Sequence, residues 1–550
     1  MGFYMAIVVP NISLPFTSPP QEAVEQALAQ LSLSRAAVKN ADIVKKSVDA
    51  RRAGRIQFVY TVAVELESGE EETARRSNRP GVRVKECARL AVETGSAPLS
   101  HPPVIAGFGP AGMFAGLLLA RLGYNPVILE RGGDVDRRVK AVERFWSGGP
   151  LDPQCNVQFG EGGAGTFSDG KLTTRIGDPR CGYVLEELVK HGAPREVLYQ
   201  AKPHVGTDKL RGVVRAIREE IRALGGQVLF QTRLEGLLLD KGRLTGLRTS
   251  AGEMPAQVLV AAPGHSARDT FSALLQAGMP MEAKPFSVGV RIEHLQAEID
   301  RALYGEFAGH PLLPPGEYQL SHREGNRAVY TFCMCPGGVV VPAASARGGV
   351  VTNGMSEYAR DRANANSALV VSVDSADCGG GPLAGVRFQQ RMEEQAFRLG
   401  GESFAAPAQT VGRFLAGKWG MAVGRVEPSY ALGVRECSLV DLFSGEITGM
   451  LRRGLERFDR KLRGFAAPDS LLCGVESRTS SPVRMERGGT LEAPGLGGVY
   501  PCGEGAGYAG GIVSAAVDGL RVAQAVCARY TNSHIYSEST LKMEKRKRKS

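Results

Sequence analysis

A glycine-rich turn at residues 105–116 contains the first residues whose types and spacing fit a binding chemistry. It reads I-A-G-F-G-P-A-G-M-F-A-G, so Gly107, Gly109 and Gly112 follow the pattern G-x-G-x-x-G. The first glycine allows a tight turn, the second lets backbone amides approach a pyrophosphate, and the third lets a helix pack closely on a strand. An apolar strand precedes the turn, a helical pattern follows, and Glu130 ends the next strand, where a carboxylate can accept ribose hydroxyls. The pattern predicts a dinucleotide site with contacts from Gly107, Phe108, Gly109, Pro110, Ala111, Gly112, Glu130 and Arg131.

A second strand, glycine turn and helix near residues 498–523 indicates which dinucleotide is bound. Glu504 stands where flavoproteins place an acid against the ribityl chain, and Gly511 precedes a helix directed at the flavin pyrimidine. A helix N-terminus there favours the negative charge of reduced flavin. We therefore predict FAD as the cofactor. The predicted contacts in this segment are Gly503, Glu504, Gly510, Gly511 and Ile512.

A third segment at residues 159–172 reads F-G-E-G-G-A-G-T-F-S-D-G-K-L. Alternating glycines and small residues make a loop whose main chain can lie flat against a ring system and offer amides to it. The predicted contacts are Gly162, Gly163, Ala164, Gly165, Thr166 and Ser168. The strand at 257–262 ends in A-A-P-G-H, and Pro263 stands where many such proteins carry a threonine, which weakens the case for a flavin contact there.

Several long segments together resemble a known family. They are the 159–172 segment, K-P-H-V-G-T-D-K-L (202–210), K-P-F-S-V-G-V-R-I-E-H (284–294), T-F-C-M-C-P-G-G (331–338), N-G-M-S (353–356), G-V-E-S-R-T-S-S-P-V-R (474–484) and P-C-G-E-G-A-G-Y-A-G-G (501–511). With K-K-S-V-D-A-R (45–51), they resemble the FAD-dependent dehydrogenases of bacteria and plastids, the NAD(FAD)-utilising dehydrogenase-like flavoproteins, over nearly all of residues 1–528. The resemblance implies FAD, a flavin fold with one nucleotide-binding domain and an oxidoreductase activity, but it supplies no substrate.

Four residues are candidates for catalysis beside the flavin. His204 and His265 lie in motif-like settings among only eight histidines, and a structural role is the alternative for each. Cys333 and Cys335 are two apart in a β-like run and so share one face of a strand. Their Cα atoms would be ~6.5 to 7 Å apart, at the upper edge of disulfide geometry, so an easy redox pair requires a kink. Zinc needs four ligands and no further pair lies near, so no metal site is predicted, and burial as small hydrophobes is the alternative role.

Two arginines are candidates for binding an anionic substrate. Arg291 alternates with Val290 and Ile292 and so faces away from their side of the strand, and Arg478 lies among serines and threonines that suit a carboxylate or phosphate. Arg484 follows in the same segment. The alternative for all three is an ordinary salt bridge.

The elements that must position these residues divide the chain into five parts. Residues 1–96 alternate a strand-like run (Ala6 to Ile12), helical patterns at 20–33 and 36–52, and a β-rich run at 55–65, which predicts a small α+β domain. A Rossmann-like FAD-binding domain is predicted at 101–280 and 471–530, with an α+β substrate or cap domain inserted at 281–470 and a disordered basic tail at 531–550. The fold class is therefore α/β with these two additions.

Composition sets limits on location and partners. The chain has 550 residues, 43% of them hydrophobic and 23% charged, and no apolar run reaches the ~18 to 20 residues of a membrane span. Ten scattered cysteines suggest free thiols in a reducing compartment, so we predict a cytoplasmic protein. Residues 542–550 hold six cations and one anion, or +5 of the net charge of +10, so the folded part is poorly suited to nucleic acid.

These observations support an FAD-dependent oxidoreductase that transfers a hydride or electrons to or from an unidentified small-molecule substrate. Its electron donor or acceptor is also unidentified. The lack of a second G-x-G-x-x-G argues against a dedicated NAD(P) domain but leaves NAD(P)H free to visit the flavin. Two alternatives are a flavoprotein that modifies RNA, suggested by the basic tail, and a sensor that binds FAD without catalysis.

Overall fold

The computed structural model describes residues 5–52, 54–86 and 90–532. The basic tail predicted for 531–550 lies outside the described residues from 533 onward. The strands are β1 Met5–Pro15, β2 Asn40–Asp49, β3 Gln57–Glu65, β4 Arg83–Glu86, β5 Ala97–Pro98, β6 Val104–Ala106, β7 Val127–Leu129, β8 Gln227–Leu229, β9 Leu234–Asp240, β10 Arg243–Thr249, β11 Gly252–Pro255, β12 Leu259–Ala261, β13 Met281–Ala283, β14 Phe286–Leu295, β15 Ser321–Glu324, β16 Arg327–Cys335, β17 Val339–Pro342, β18 Thr352–Met355, β19 Asn364–Val373, β20 Ala406–Thr410, β21 Val434–Glu436, β22 Leu471–Glu476, β23 Val483–Met485, β24 Val499–Pro501 and β25 Tyr530–Thr531. The α-helices are α1 Gln21–Gln30, α2 Glu70–Ser77, α3 Pro110–Arg121, α4 Val135–Trp146, α5 Arg180–Lys190, α6 Thr207–Ala223, α7 Arg268–Gln276, α8 Gln296–Tyr304, α9 Ser375–Cys378, α10 Ala384–Leu399, α11 Val411–Leu415, α12 Gly445–Lys461 and α13 Ile512–Arg529.

A five-stranded parallel sheet, here called the nucleotide sheet, has the order β24-β12-β6-β7-β8. The strands β24, β12, β6 and β7 are buried on both faces, because α3, α6 and α13 cover one side and the β9–β11 meander with α7 covers the other. The edge strand β8 is partly exposed. The strand, turn, helix and strand predicted at 104–130 is confirmed, as is the Rossmann-like class. The strand β24 comes from near the end of the chain, after every other strand except β25.

Helix α3 is apolar on all sides because it is enclosed between the nucleotide sheet and α13. Its residues 111–120 are all buried, so the usual amphipathic pattern of a surface helix is missing. Gly116 allows this close approach, since a Cβ there would lie 2.6 Å from the Ile128 side chain on β7. Helix α3, which follows the glycine turn, is therefore fixed against the nucleotide sheet.

A seven-stranded sheet, here called the cap sheet, has the order β15-β16-β19-β14-β22-β20-β21. Its central strand β14 is buried from Phe286 to His294, since helices such as α10 and α12 pack against the sheet. β22 pairs with β14 and β20, so the segment after residue 470 still belongs to this sheet. The boundary predicted at 470/471 is therefore wrong, and the return to the nucleotide sheet begins beyond Glu476.

The N-terminal residues form a four-stranded sheet of order β2-β3-β1-β4 with α1 packed on it. The helix predicted at 36–52 is wrong, because a short 3₁₀ turn at Arg35–Ala37 leads into strand β2. β2 pairs with β3 from Asn40 to Asp49 with one register shift. Pairing with a neighbouring strand has overridden the weak helical periodicity of this segment.

Among the helices of the described ranges, none has both the length and the apolar character needed to cross a lipid bilayer.

Candidate functional site

The three glycine-rich segments of the sequence line one cavity, here called the cleft, between the nucleotide sheet and the cap sheet. Its volume is about 1310 Å³, larger than the roughly 300 to 1,000 Å³ typical of small-molecule pockets. Gly109 of the first segment, Gly163 of the second and Glu504 of the third all lie on its wall. The cleft therefore has room for a dinucleotide and for a second molecule above it.

The turn after β6 is shaped by glycines that no other residue could replace without movement. Gly107 has φ +105°, and a Cβ there would lie 2.1 Å from the Ala262 carbonyl oxygen. A Cβ on Gly163, which has φ +64°, would lie 3.0 Å from the Cα of Gly109. Two bare backbones thus face each other beside the N-terminus of α3, whose first amides have no partner within the helix. This arrangement fits a pyrophosphate.

Glu130 holds this turn together. The side chain is 4% exposed, and its Oε2 accepts a hydrogen bond from the Phe108 amide at 3.0 Å. Its Oε1 accepts from the amides of Gly132 at 2.9 Å and Gly160 at 3.0 Å. The carboxylate also lies on the cleft wall, so it can accept a ribose hydroxyl with a remaining lone pair. Arg131, beside it on the wall, is paired with Asp269 at 2.7 Å.

Arg138 on α4 organises the loop of residues 156–168, here called the glycine loop. Its side chain is fully buried, and burial lowers its pKa to about 10. It donates to five backbone carbonyls, those of Asn156, Val157, Gly160, Glu161 and Gly163, at 2.7 to 3.3 Å. Sequence reasoning missed this residue, because its partners are backbone atoms that no motif records.

The structure separates the predicted cofactor contacts into wall residues and supporting residues. On the cleft wall lie Gly107, Phe108, Gly109, Pro110, Ala111, Glu130, Arg131, Gly163, Ala164, Gly165, Ser168, Glu504, Gly510, Gly511 and Ile512. Four others support the wall from outside its lining, namely Gly112, Gly162, Thr166 and Gly503. Gly112 allows α3 to approach Gly107, and the Gly503 amide donates to Asp518 at 2.7 Å. These four therefore lie behind the lining and support it.

Glu504 and His265 face each other at the wall, with 3.8 Å between Glu504 Oε1 and His265 Nδ1. Burial raises the pKa of Glu504 to about 7. Burial, with the nearby charges of Arg478 and Arg268, lowers the pKa of His265 to about 4. Near neutral pH, Glu504 can therefore take up or release a proton while His265 remains neutral. His265 stays a candidate for proton transfer, and Glu504, predicted from the sequence only as a cofactor contact, becomes a second candidate.

His204 lies behind the wall rather than on it. Its Nε2 lies 3.1 Å from the Tyr358 carbonyl oxygen, and its ring stacks on the Tyr358 ring with centroids 5.3 Å apart. The lining includes its neighbours Lys202 and Pro203 but not His204 itself. These contacts favour the structural alternative for His204, which joins the Tyr358 segment to the segment before α6.

The two arginines predicted to bind substrate are already paired within the chain. Arg291 is fully buried, and its Nη1 contacts Glu476 at 3.2 Å while its Nε donates to Asn366 at 2.8 Å. Arg478 donates to both oxygens of Glu393 at 2.9 and 2.8 Å. Arg291 lies outside the cleft lining, so its contacts favour the alternative of an internal ion pair. Arg478 lies on the cleft wall while it holds Glu393, so substrate binding by Arg478 stays a prediction. Arg484 lies 4.0 Å from Glu282, also an ion pair.

Cys333 lies on the wall and Cys335 is fully buried behind it. The register of β16 against β19 shifts between Phe332 and Cys335, and Cys333 has φ +45°. The prediction of an extended strand with both thiols on one face is therefore wrong, because the strand bulges at this point. All cysteines within the described residues, Cys333 and Cys335 included, are free thiols.

A charged network closes the cleft on the cap side. Lys171 lies 3.1 Å from Glu317 and 3.4 Å from Asp169, and Lys202 lies 2.7 Å from Glu317. Arg360 makes a two-pronged contact with the fully buried Asp169. Sequence reasoning missed this network, although Lys171 and Lys202 both fall inside the long segments quoted above. It gives this end of the cleft a polar surface.

Two family models match parts of this chain, the cap region and the N-terminal sheet. The family described as FAD-dependent protein, C-terminal domain-like, matches residues 285–479, and a domain of unknown function matches residues 7–65. A protein of Clostridium beijerinckii described as uncharacterized is 45% identical over 530 residues, covering 96% of this chain and 99% of its own length.

The chain is also similar to solved structures, at low sequence identity. Glycine oxidase from Geobacillus kaustophilus is 13% identical, with 79% of this chain and 96% of that one covered and a TM-score of 0.35. A geranylgeranyl bacteriochlorophyll reductase-like protein from Thermoplasma acidophilum is 13% identical, with 81% and 80% covered and a TM-score of 0.35. The cleft fits FAD at its glycine turns, and the cap matches the family profile. The chain therefore belongs to the family of FAD-dependent proteins.

Proposed function

We propose that the protein is an FAD-dependent oxidoreductase whose small-molecule substrate enters the cleft from the cap side. The supporting observation is that the nucleotide turns and the cap strand β16 line the same cavity. Tyr330, Phe332 and Cys333 of that strand face the space that Gly163 and Glu504 also border. A substrate lying between them would sit beside the cofactor.

The bound cofactor supplies the hydride or electron transfer itself. The chain would hold it by the amides around Gly109 and by Glu130, with the glycine loop against its ring. The N-terminus of α13 begins at Ile512 on the cleft wall, and a helix N-terminus stabilises negative charge placed there. These residues fit FAD because the cradle is made of backbone and contains no side chain that would fill it.

The remaining wall residues would bind the substrate and manage its proton. Glu504 holds or releases a proton near neutral pH, as its raised pKa indicates. Lys171 and Glu317 offer polar atoms at the far end, so a small polar substrate suits the cleft better than a wholly apolar one. The cap sheet covers the site and would exclude water during transfer.

The test is a flavin assay on the purified full chain. We expect a yellow protein whose released flavin is FAD, reducible under anaerobic conditions by NADH, NADPH or a chemical reductant and reoxidised by at least one acceptor from a panel. Reduction by NADH or NADPH would identify a nicotinamide nucleotide as the electron donor. A protein that retains no flavin refutes the proposal, and a bound flavin inert to every donor and acceptor supports a sensor instead.

A further inference from the structure

The bulge in β16 places two thiols in unequal positions beside the cleft. Cys333 is half-buried and lines the wall, whereas Cys335 is fully buried. The Cys335 thiol donates to the Cys333 carbonyl oxygen at 3.4 Å, so its sulfur turns back toward the preceding residue. A regular strand would keep two residues at this spacing too far apart for an easy disulfide, whereas at this bulge the two side chains are within hydrogen-bonding reach of each other.

The backbone at Cys333 has a positive φ, which a regular strand does not have. A φ of +45° is uncommon for a residue with a Cβ, and such positions cluster at functional sites. Arg291 fixes it from behind, because its Nη2 donates to the Cys333 carbonyl at 2.6 Å and lies 3.6 Å from the Cys335 sulfur. Gly354 makes room for that guanidinium, since a Cβ there would lie 2.1 Å from Nη2. Arg291 is thus a positioning residue for the cysteine pair.

The charges around the pair favour a thiolate on Cys333, the half-buried member. A hydrogen bond from Cys335, together with the positive charges of Arg291 and Lys171, lowers the pKa of Cys333, while burial and Asp169 oppose this. The same hydrogen bond and burial raise the pKa of Cys335. The Cys333 sulfur, which borders the cleft, is therefore the nucleophile, and the fully buried Cys335 sulfur is the proton-bearing partner.

We propose that Cys333 and Cys335 form a thiol–disulfide redox pair and that the cleft accepts small thiols and disulfides as substrates. This rests on the proposed function, because it assigns a substrate class to the same cleft. Cys333 is the attacking residue and Cys335 the resolving residue. The order follows from exposure, since only the Cys333 side chain can be reached from the cavity.

The exchange balances as follows for a small disulfide R–S–S–R. The Cys333 thiolate attacks one sulfur, a Cys333–S–R bond forms, the R–S–S–R bond breaks, and one R–S⁻ leaves and takes a proton from water. Cys335 then loses its proton and its sulfur attacks the Cys333 sulfur. The Cys333–Cys335 disulfide forms, the bond between Cys333 and S–R breaks, and the second R–S group takes up a proton and leaves as a thiol. The pair has lost two electrons to the disulfide, and a dithiol such as dithiothreitol returns them by the reverse steps.

The experiment uses the full chain with its cofactor and the disulfide of 2-mercaptoethanol as the probe. After exposure under native conditions and acid quenching, free thiols are alkylated in denaturant and the chain is digested with trypsin. Cleavage after Arg327 and Arg347 leaves both cysteines in one peptide, residues 328–347. We expect this peptide to resist alkylation and to be lighter by two hydrogen atoms, and dithiothreitol to reverse both changes.

Three variants make the test specific. Cys335→Ser should retain a mixed disulfide on Cys333, whereas Cys333→Ser should show neither an adduct nor an internal bond. Cys181→Ser is the matched control, because Cys181 is also a half-buried free thiol but lies on α5 outside the lining. At pH 7, iodoacetamide should alkylate Cys333 at least about 10-fold faster than Cys181, because more of Cys333 is thiolate.

The outcomes separate this inference from the proposed function. Two free thiols in the 328–347 peptide after exposure, in a protein whose FAD is bound and reducible, would overturn the redox pair and leave the oxidoreductase intact. A mixed disulfide on Cys333 that Cys335 never resolves in the native chain would also overturn it. A pair that closes in a chain without flavin would support the pair and refute the proposed function.

Discussion

The contact between Gly163 and Gly109 gives the sharpest prediction for cofactor binding. In Gly163→Ala, the new Cβ would lie 3.0 Å from the Cα of Gly109, on a backbone with φ +64°. Left-handed backbone costs an L-residue roughly 1 to 2 kcal/mol. We expect the glycine loop to relax partly from this geometry when it holds no cofactor and to be fixed in it when the cofactor is bound. The strain should therefore appear in the binding free energy and weaken FAD affinity about 5- to 30-fold.

The assay is titration of the apoprotein with FAD, followed by quenching of flavin fluorescence. The control is Gly212→Ala, in the exposed part of α6, where a new Cβ would meet nothing within 4 Å. Alanine should stabilise that helix by roughly 0.5 to 1 kcal/mol and leave FAD affinity unchanged. Unaltered affinity in a folded Gly163→Ala protein would show that the two glycines do not border the cofactor.

Three further predictions concern groups that hold or tune the cleft. Arg138→Met should leave buried carbonyls of the glycine loop without donors, lowering the free energy of unfolding by at least about 3 kcal/mol in urea titrations, whereas exposed Arg144→Met on the same helix should change little. Glu393→Gln should cost about 3 to 5 kcal/mol by the same measurement, because it leaves Arg478 and Arg268 without their shared carboxylate. Glu504 has a folded pKa of about 7 against 4.5 when unfolded, so its contribution to stability is present below pH 4.5 and is lost as pH rises to 7. Glu504→Gln should remove that loss in urea titrations across this range, and an unchanged pH profile would contradict the shift.

The sequence predicts the glycine-rich segments that line the cleft because their requirements are local. Gly107 and Gly163 are glycines owing to their own backbone angles and close contacts, and such requirements recur as short motifs. The strand, turn and helix around Gly109 could be read for the same reason. The contact between Gly109 and Gly163, however, joins segments far apart in the chain and is visible only in the fold.

The errors arose where both faces of an element are buried or where partners are distant. The alternation of residue types along β14 does not show whether a face of the strand is open or covered. It therefore predicts that Arg291 reaches the substrate, whereas the Arg291 side chain is fully buried. Arg138 could not be found because it binds backbone carbonyls of another segment. The bulge at Cys333 has no glycine or proline to mark it, since a cysteine itself takes the positive φ.

The most direct test of the central claim is an experimental structure of the purified chain with its cofactor. We expect FAD in the cleft, with its pyrophosphate against the backbone between Gly107 and Ala111 and its ring between the glycine loop and Glu504. Cofactor bound at another surface, or a cleft around Gly109 and Gly163 closed to it, would show that these glycine-rich segments do not form the cofactor site.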